Sequence, residues 1–184
     1  MKKILLIADT HIPDRATSIP EPVLRFIEDN KPYDIVVHAG DLVGEEVLEW
    51  VKSLAPQVYV VVGNMDYLNL PLYQVFSVEG LEIGVYHGHR IYPRGDPEKL
   101  YSIASRLKVK VLFTAHTHYP DARVHRGVLI LNPGSLTGSW GGAGGSMKPS
   151  LALVQVSSGS LEYTLYELSA GRLRAISRGS FKPS

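Results

Sequence analysis

Cysteine is absent from this 184-residue chain, so disulfides, thiolate metal ligands and cysteine nucleophiles are excluded. Any metal would have to be held by imidazole, carboxylate, amide or backbone oxygen. Net charge is lacking as well: 19 basic against 18 acidic residues leave +1. No broad field draws the protein to nucleic acid or to an anionic membrane. Long apolar runs are also missing. After Met1, Lys2 and Lys3 come only five apolar residues, Ile4 to Ala8, which is too short for a secretory signal. Nothing approaches the roughly 18 residues of a spanning helix. These absences predict a cytoplasmic protein with no membrane partner and no nucleic-acid partner.

Apolar residues make up 45% and charged residues 20%, the balance of an ordinary globular protein, and the length suits one domain over 1–184. Short β-branched runs alternate with helix-period segments. Residues 3–8, 34–39 and 58–62 read as strands of a parallel sheet, apolar on both faces. Between them, Val23, Phe26 and Ile27 mark one helical stripe, and Val47, Trp50, Val51 and Leu54 mark another. The order βαβαβ argues for a layered α/β fold. Beyond residue 70, two strands meet at a Glu79-Gly80 turn. A third helix begins with Asp96 as cap and Pro97 in the first turn, and buries Leu100, Ile103, Ala104 and Leu107. Strands follow at 109–115 and 128–135. After a glycine-rich connection at 138–146, three more (151–157, 161–168, 172–178) are expected to join a second sheet.

Polar residues cluster just past the apolar runs. Asp9 and His11 follow the first, Asp41 the second, and Asn64 and Asp66 the third. His87 and His89 follow "EIGVY". His116 and His118 follow "VLFTA", and Asn132 to Ser135 follow "VLIL". In open α/β sheets ligands bind at that edge. His116 and His118, two apart on an extended chain, would face one place. Each residue alone has a plainer reading as a cap, turn or solvated loop, and Asp41 could cap the helix after it. Such readings would have to hold at every strand end at once. His38 reads as core and His125 as surface.

Asp9, His11, Asp41, Asn64, His87, His116 and His118 form an oxygen and nitrogen donor set. Such a set suits Mn, Fe, Ni or Zn rather than Mg or Ca. Seven donors exceed what one catalytic ion with open positions needs. They suit two divalent transition-metal ions sharing a carboxylate, with manganese expected first and nickel, iron or zinc as alternatives.

In order, Asp-x-His (9–11), Gly-Asp (40–41), Gly-Asn-x-Asp (63–66), His-Gly-His (87–89), His-Thr-His (116–118) and Asn-Pro-Gly-Ser (132–135) resemble the calcineurin-like metallophosphoesterase superfamily. The short chain looks like its small prokaryotic phosphodiesterase branch, which also includes a retromer subunit with a scaffolding role. The resemblance runs from residue 3 to about 160. It implies a four-layer αββα sandwich of two mixed β-sheets flanked by helices, with the metal site at the C-terminal strand ends. It implies that Asp9, His11 and His118 hold one ion, that Asn64, His87 and His116 hold the other, and that Asp41 bridges them. A hydroxide between the ions would attack phosphorus in line, making the protein a metal-dependent phosphodiesterase acting on a small phosphate ester.

Asp41, Asn64 and His89 are then the catalytic candidates, and Asn64 and His89 the substrate-binding ones. Many members of the superfamily have histidine where this chain has Met65, and that histidine serves the leaving group. His89 is the candidate substitute. Ala115 replaces a usual glycine. Asp66 is expected to support the site through hydrogen bonds, and the Asn132–Ser135 segment to shape the backbone behind the histidines. Tyr67, Arg15, Arg90 and Arg94 lie near the ligands in sequence; the arginines are expected at the solvated surface. A homo-oligomer is compatible with the sequence. The alternative to an enzyme is a non-catalytic metal-binding scaffold or protein-interaction module of the same fold.

Overall fold

The computed structural model describes residues 1–184. The elements run β1 (Lys2–Ile7), α1 (Glu21–Asp29), β2 (Ile35–His38), α2 (Glu45–Lys52), β3 (Gln57–Val60), β4 (Tyr73–Val78), β5 (Leu81–Tyr86), α3 (Pro97–Leu107), β6 (Val111–Phe113), β7 (Pro120–His125), β8 (Val128–Pro133), β9 (Ser150–Ser157), β10 (Ser160–Ser169) and β11 (Arg172–Phe181). They build two mixed sheets. The first has order β11-β10-β9-β1-β2-β3 and the second β4-β5-β6-β8-β7. In the first, β1, β2 and β3 run parallel and β9 to β11 antiparallel. In the second, β5, β6 and β8 run parallel and the two edge strands antiparallel.

Alternation along β1 explains the layers. Ile4 and Leu6 face the second sheet, whereas Leu5 and Ile7 face the helices. The space between the sheets holds the largest apolar cluster, 22 buried residues including Leu6, Ile83, Phe113 and Val154, and so carries most of the hydrophobic stabilisation. On the outer side of the first sheet, Val23 and Ile27 of α1 and Val47 and Val51 of α2 cover Leu5 and Val36. On the outer side of the second, Leu100, Ile103 and Ala104 of α3 cover Leu112 and Ile130. Asp96 caps α3 by accepting the Lys99 N–H at 2.9 Å. The four-layer αββα sandwich is the architecture that the resemblance to the calcineurin-like superfamily implies.

Three local expectations are corrected. The strands after the glycine-rich segment do not join the second sheet. β9 pairs along the free edge of β1, with Leu5 opposite Leu153, and becomes a central strand of the first sheet. It is apolar on both faces, as that place requires: Leu151 meets the helix layer and Ala152 the inter-sheet layer. β3 is not buried on both faces but forms the other edge of this sheet; its Tyr59 stacks on Phe76 at 4.1 Å. β7 was not expected at all. It is a short edge strand with little burial that opens on Pro120, and its alternation of Ala122 and Val124 with Asp121, Arg123 and His125 is too brief to mark a strand. The Glu79-Gly80 turn is as expected, with both residues at positive φ. No helix is long and apolar enough to cross a membrane.

Candidate metal centre

The C-terminal ends of β1, β2, β5 and β6 meet over the inter-sheet core. Two trios of potential metal donors stand there, Asp9, His11 and His118, and Asp41, His87 and His116, each with its ligand atoms within 4.8 Å of one another. All six residues are buried. Both trios draw on both sheets. Asp9 and His11 follow β1 and Asp41 follows β2, whereas His87 follows β5 and His116 and His118 follow β6.

The backbone is bent to present them. Asp9, His11, Asp41, His116 and His118, five of the six donors, sit at positive φ between 49° and 71°. L-residues rarely adopt this region, and such strain persists where the surroundings enforce it and a site needs it. Asp9 N–H donates to Gly40 O at 3.0 Å and His11 N–H to Asp41 O at 3.0 Å, so the loops after β1 and β2 hold each other. His38 adds to this clasp: its Nδ1 accepts the Gly40 N–H at 3.2 Å and its Nε2 lies 2.9 Å from Thr10 Oγ1. Burial pushes its pKa down to about 3, so it is a neutral core residue as expected.

Each carboxylate has one oxygen tied down and one directed inward. Asp9 Oδ2 accepts the His116 N–H at 3.0 Å, while Oδ1 is buried with no hydrogen-bond partner. That orphan oxygen lies 3.4 Å from His118 Nε2, 3.8 Å from His11 Nε2 and 3.9 Å from His87 Nε2. Asp41 Oδ1 accepts the Met65 N–H at 2.8 Å. Asp41 Oδ2 lies 3.4 Å from His11 Nε2 and 3.3 Å from His87 Nε2, one from each trio.

The imidazoles are oriented from behind. His87 Nδ1 donates to Ala39 O at 2.7 Å and His118 Nδ1 to Ser139 O at 2.7 Å. A carbonyl can only accept, so Nδ1 carries the proton and Nε2 faces the site. Metal-binding histidines are commonly held this way. Buried donors without partners and inward-facing imidazole nitrogens fit divalent transition-metal ions.

Charge supports the same reading. Burial lowers the pKa of His11 to about 4 despite Asp41 and Asp9, and burial with His87 and Arg94 lowers His116 to about 4. Burial also works against charge on His87, but Asp41 and Asp9 outweigh it and raise its pKa to about 9. His118 is raised in the same way, mainly by Asp9. Burial resists ionisation of Asp9 and Asp41 as well, but His118 and His87 hold both carboxyls below their ordinary value. Asp9 and Asp41 thus make the site one that favours positive charge beside them, which is the electrostatics a divalent cation needs.

Supporting residues fall where the sequence suggested. Asp66 accepts the N–H groups of Asp41, Val43 and Gly63 at 2.9, 2.7 and 2.7 Å and fixes the loop that carries Asp41. Burial pushes its carboxyl up from the ordinary value. Asn132 Nδ2 donates to Ala115 O at 3.1 Å and Thr117 Oγ1 at 3.0 Å, bracing the segment between His116 and His118. Ser135 Oγ donates to Asp9 O at 2.7 Å. His89 is half-buried, with its ring 5.5 Å from His87 and 6.5 Å from His116, outside either trio, and its Nδ1 is unpartnered. Asn64 is exposed, one residue before Met65 on the same loop. His125 is at the surface, paired with Glu98 at 2.7 Å. Asp41 does not cap α2; Gly44 stands at that position.

The glycine-rich segment is more than a connection. Ser139 O holds His118, Ser146 N–H donates to His118 O at 3.0 Å, and two arginines grip its backbone. Arg15 Nη1 donates to Trp140 O at 2.8 Å and Arg94 Nη1 to Gly141 O at 2.5 Å. Ser139 and Ala39 act through carbonyls that any residue has, so no side-chain pattern marks them.

Fold and donor set together define an α/β sandwich with a candidate divalent-metal centre. Residues 1–159 match the family model of the calcineurin-like phosphoesterase superfamily domain, and the chain belongs to that family. A probable metallophosphoesterase of Methanocaldococcus jannaschii is 42% identical over 132 residues, 72% of this chain and 67% of that protein. Another, from Methanothermobacter thermautotrophicus, is 41% identical over 135 residues, 72% of this chain and 76% of its own. Among solved structures, vacuolar protein sorting 29 from Cryptosporidium parvum superposes with a TM-score of 0.92 at 27% identity, covering 98% of each chain. Wild-type Vps29 of Entamoeba histolytica, solved in complex with zinc, gives 0.86 at 31% identity over 98% of this chain and 99% of that one.

Proposed function

We propose that the protein is a metal-dependent phosphodiesterase that works with two divalent ions, manganese foremost. Asp41 carries this reading. One of its oxygens is held by the Met65 N–H, and the other is turned to His11 and His87, a member of each trio. Asp9, His11 and His118 would hold one ion, Asn64, His87 and His116 the other, and Asp41 both. Bound there, the ions would supply charge against the phosphoryl oxygens and acidify a water into a nucleophile.

The chain does the rest. Its backbone N–H groups fix one oxygen of Asp9 and of Asp41 so that the other points inward. The carbonyls of Ala39 and Ser139 keep the Nε2 lone pairs of His87 and His118 directed at the site. The exposed Asn64 amide is available to a phosphate oxygen. Met65 has no proton to give, so His89 is the group beside the trios that can serve the leaving oxygen. Burial and the charges of His87 and Arg90 lower its pKa, which keeps it neutral at neutral pH, able to hold one proton on either nitrogen. The preference for a diester follows from the resemblance to the small phosphodiesterase branch.

The test is hydrolysis of bis(p-nitrophenyl) phosphate and p-nitrophenyl phosphate by metal-stripped protein with Mn, Ni, Zn or Mg restored singly. Turnover should need a transition metal and favour the diester, and Asp41→Asn should abolish it while circular dichroism stays unchanged. A second reading, a non-catalytic interaction module, draws on Met65 and on the likeness to Vps29 structures. It expects two bound ions without turnover, so the same assay decides between the two.

A further inference from the structure

A cavity of about 780 Å³ opens beside the N-terminus of α3, walled by the 92–97 loop and by β7. This is within the size range of small-molecule sites. The cavity and the metal centre share one stretch of chain. Thr114, Ala115 and Thr117 line the cavity, and Thr117 stands between His116 and His118, which belong to different trios. Arg94 lies at the boundary. It lines the cavity, grips Gly141 O at 2.5 Å, and its charge reaches His116.

We propose that this cavity is the subsite for one ester substituent of the phosphodiester. The substituent it fits is a neutral planar ring with hydrogen-bond donors and acceptors on its edge, as a nucleobase has. The proposal rests on the phosphodiesterase reading above.

Three features select that chemistry. First, the charges cancel: Arg94 and Arg123 are matched by Asp96 and Asp121, so the walls favour neither an anion nor a cation. Second, donors and acceptors are both left over. Asp121 uses one oxygen on Arg123 Nε at 2.6 Å and Asp96 one on the Lys99 N–H at 2.9 Å. The other oxygen of each, and the terminal Arg123 nitrogens, make no bond within the chain. Third, two exposed tyrosines line the cavity: Tyr92 is 82% and Tyr119 51% exposed. Bases stack on such rings whatever their identity. Leu100 and Ile130, both buried, add an apolar part to the lining.

The test uses two diesters with the same non-planar leaving group. These are the trifluoroethyl esters of thymidine 5′-phosphate and of 1-O-methyl-2-deoxyribose 5-phosphate, which differ only in the base. Trifluoroethanol release by the metal-loaded protein is followed by fluorine NMR. The thymidine ester should have a kcat/KM higher by about tenfold or more, the lower range of what stacking one base contributes. That ratio should fall toward one in Tyr92→Ala. A wild-type ratio near one would overturn the cavity assignment while leaving the phosphodiesterase standing. If neither ester nor bis(p-nitrophenyl) phosphate is cleaved, the phosphodiesterase reading fails. Amide shifts on adding thymidine then decide the cavity separately: changes at Gly95 and Thr117 support it, and their absence rejects it.

Discussion

The Met65 N–H donates to Asp41 Oδ1 at 2.8 Å, so the residue that breaks the superfamily's usual pattern still holds the carboxylate both trios face. Its contribution comes from the backbone. Met65→Ala should therefore keep metal affinity within about twofold, whereas Met65→Pro removes the donor. A hydrogen bond to a charged group is worth about 1.5–3 kcal/mol, so the proline variant should bind metal at least about tenfold more weakly. Isothermal titration with Mn compares them, and equal affinities would refute the role.

Gly63 leaves the space into which Asp41 fits. A Cβ there would overlap Asp41 Oδ1 and its backbone N, and neither can move without breaking the loop. Gly63 is not at positive φ, so the conflict is purely one of volume. Gly63→Ala should lose bound metal and lower the melting temperature by several degrees. Full metal content by elemental analysis would count against this account of Asp41.

Each trio should load separately. His118→Ala and His116→Ala should each reduce the metal content from two ions per chain to one, and either change should abolish turnover. Chelation of the wild type should lower its melting point. Ligand at about 100 times its Kd adds about 2.7 kcal/mol. For a chain of this size that amounts to about 5–10 °C. Calorimetry with and without chelator would show it, and an unchanged melting point would contradict binding at the buried trios.

Asp34 sets part of the acid response. The Lys3 N–H at 2.8 Å and Lys2 Nζ at 3.0 Å lower its pKa, with burial a small opposing effect. A depressed folded value gives stability that is complete above the unfolded carboxylate value, near 3.8, and is lost as pH falls through the folded one. With the side chain 38% exposed, solvent screening keeps the gain below about 1 kcal/mol. Urea titration should find Asp34→Asn less stable than wild type near neutral pH, with the gap closing as pH falls below the ordinary carboxylate value near 3.8. A gap that widens in acid would reverse the argument.

Much of the site was legible because the fold puts chemistry at strand ends and strands announce themselves by apolar runs. Asp9, His11, Asp41, His87, His116 and His118 could all be picked out by that rule, and all six stand together. What stayed hidden depends on long-range pairing or on the backbone. β9 suits either sheet by its pattern, and only its pairing with β1 decides. β7 does alternate, with Ala122 and Val124 between Asp121, Arg123 and His125, but it is short, opens on a proline and leaves Val124 exposed, so the pattern is too weak to mark a strand. Arg15 and Arg94 read as solvated surface, yet both are spent on carbonyls of the glycine-rich segment.

Each trio borrows from both sheets, and this bears on the order of folding. Asp9 and His116 are joined by a hydrogen bond although 107 residues separate them, and the same separation lies between His11 and His118. Neither set of donors can exist until the two sheets have docked, which is a late and entropically costly closure. An ion therefore cannot nucleate this chain; it arrives at a finished seam and pins it. Metal should leave the refolding rate nearly unchanged and slow unfolding, so that the loaded protein owes its persistence to a bolt fitted after assembly.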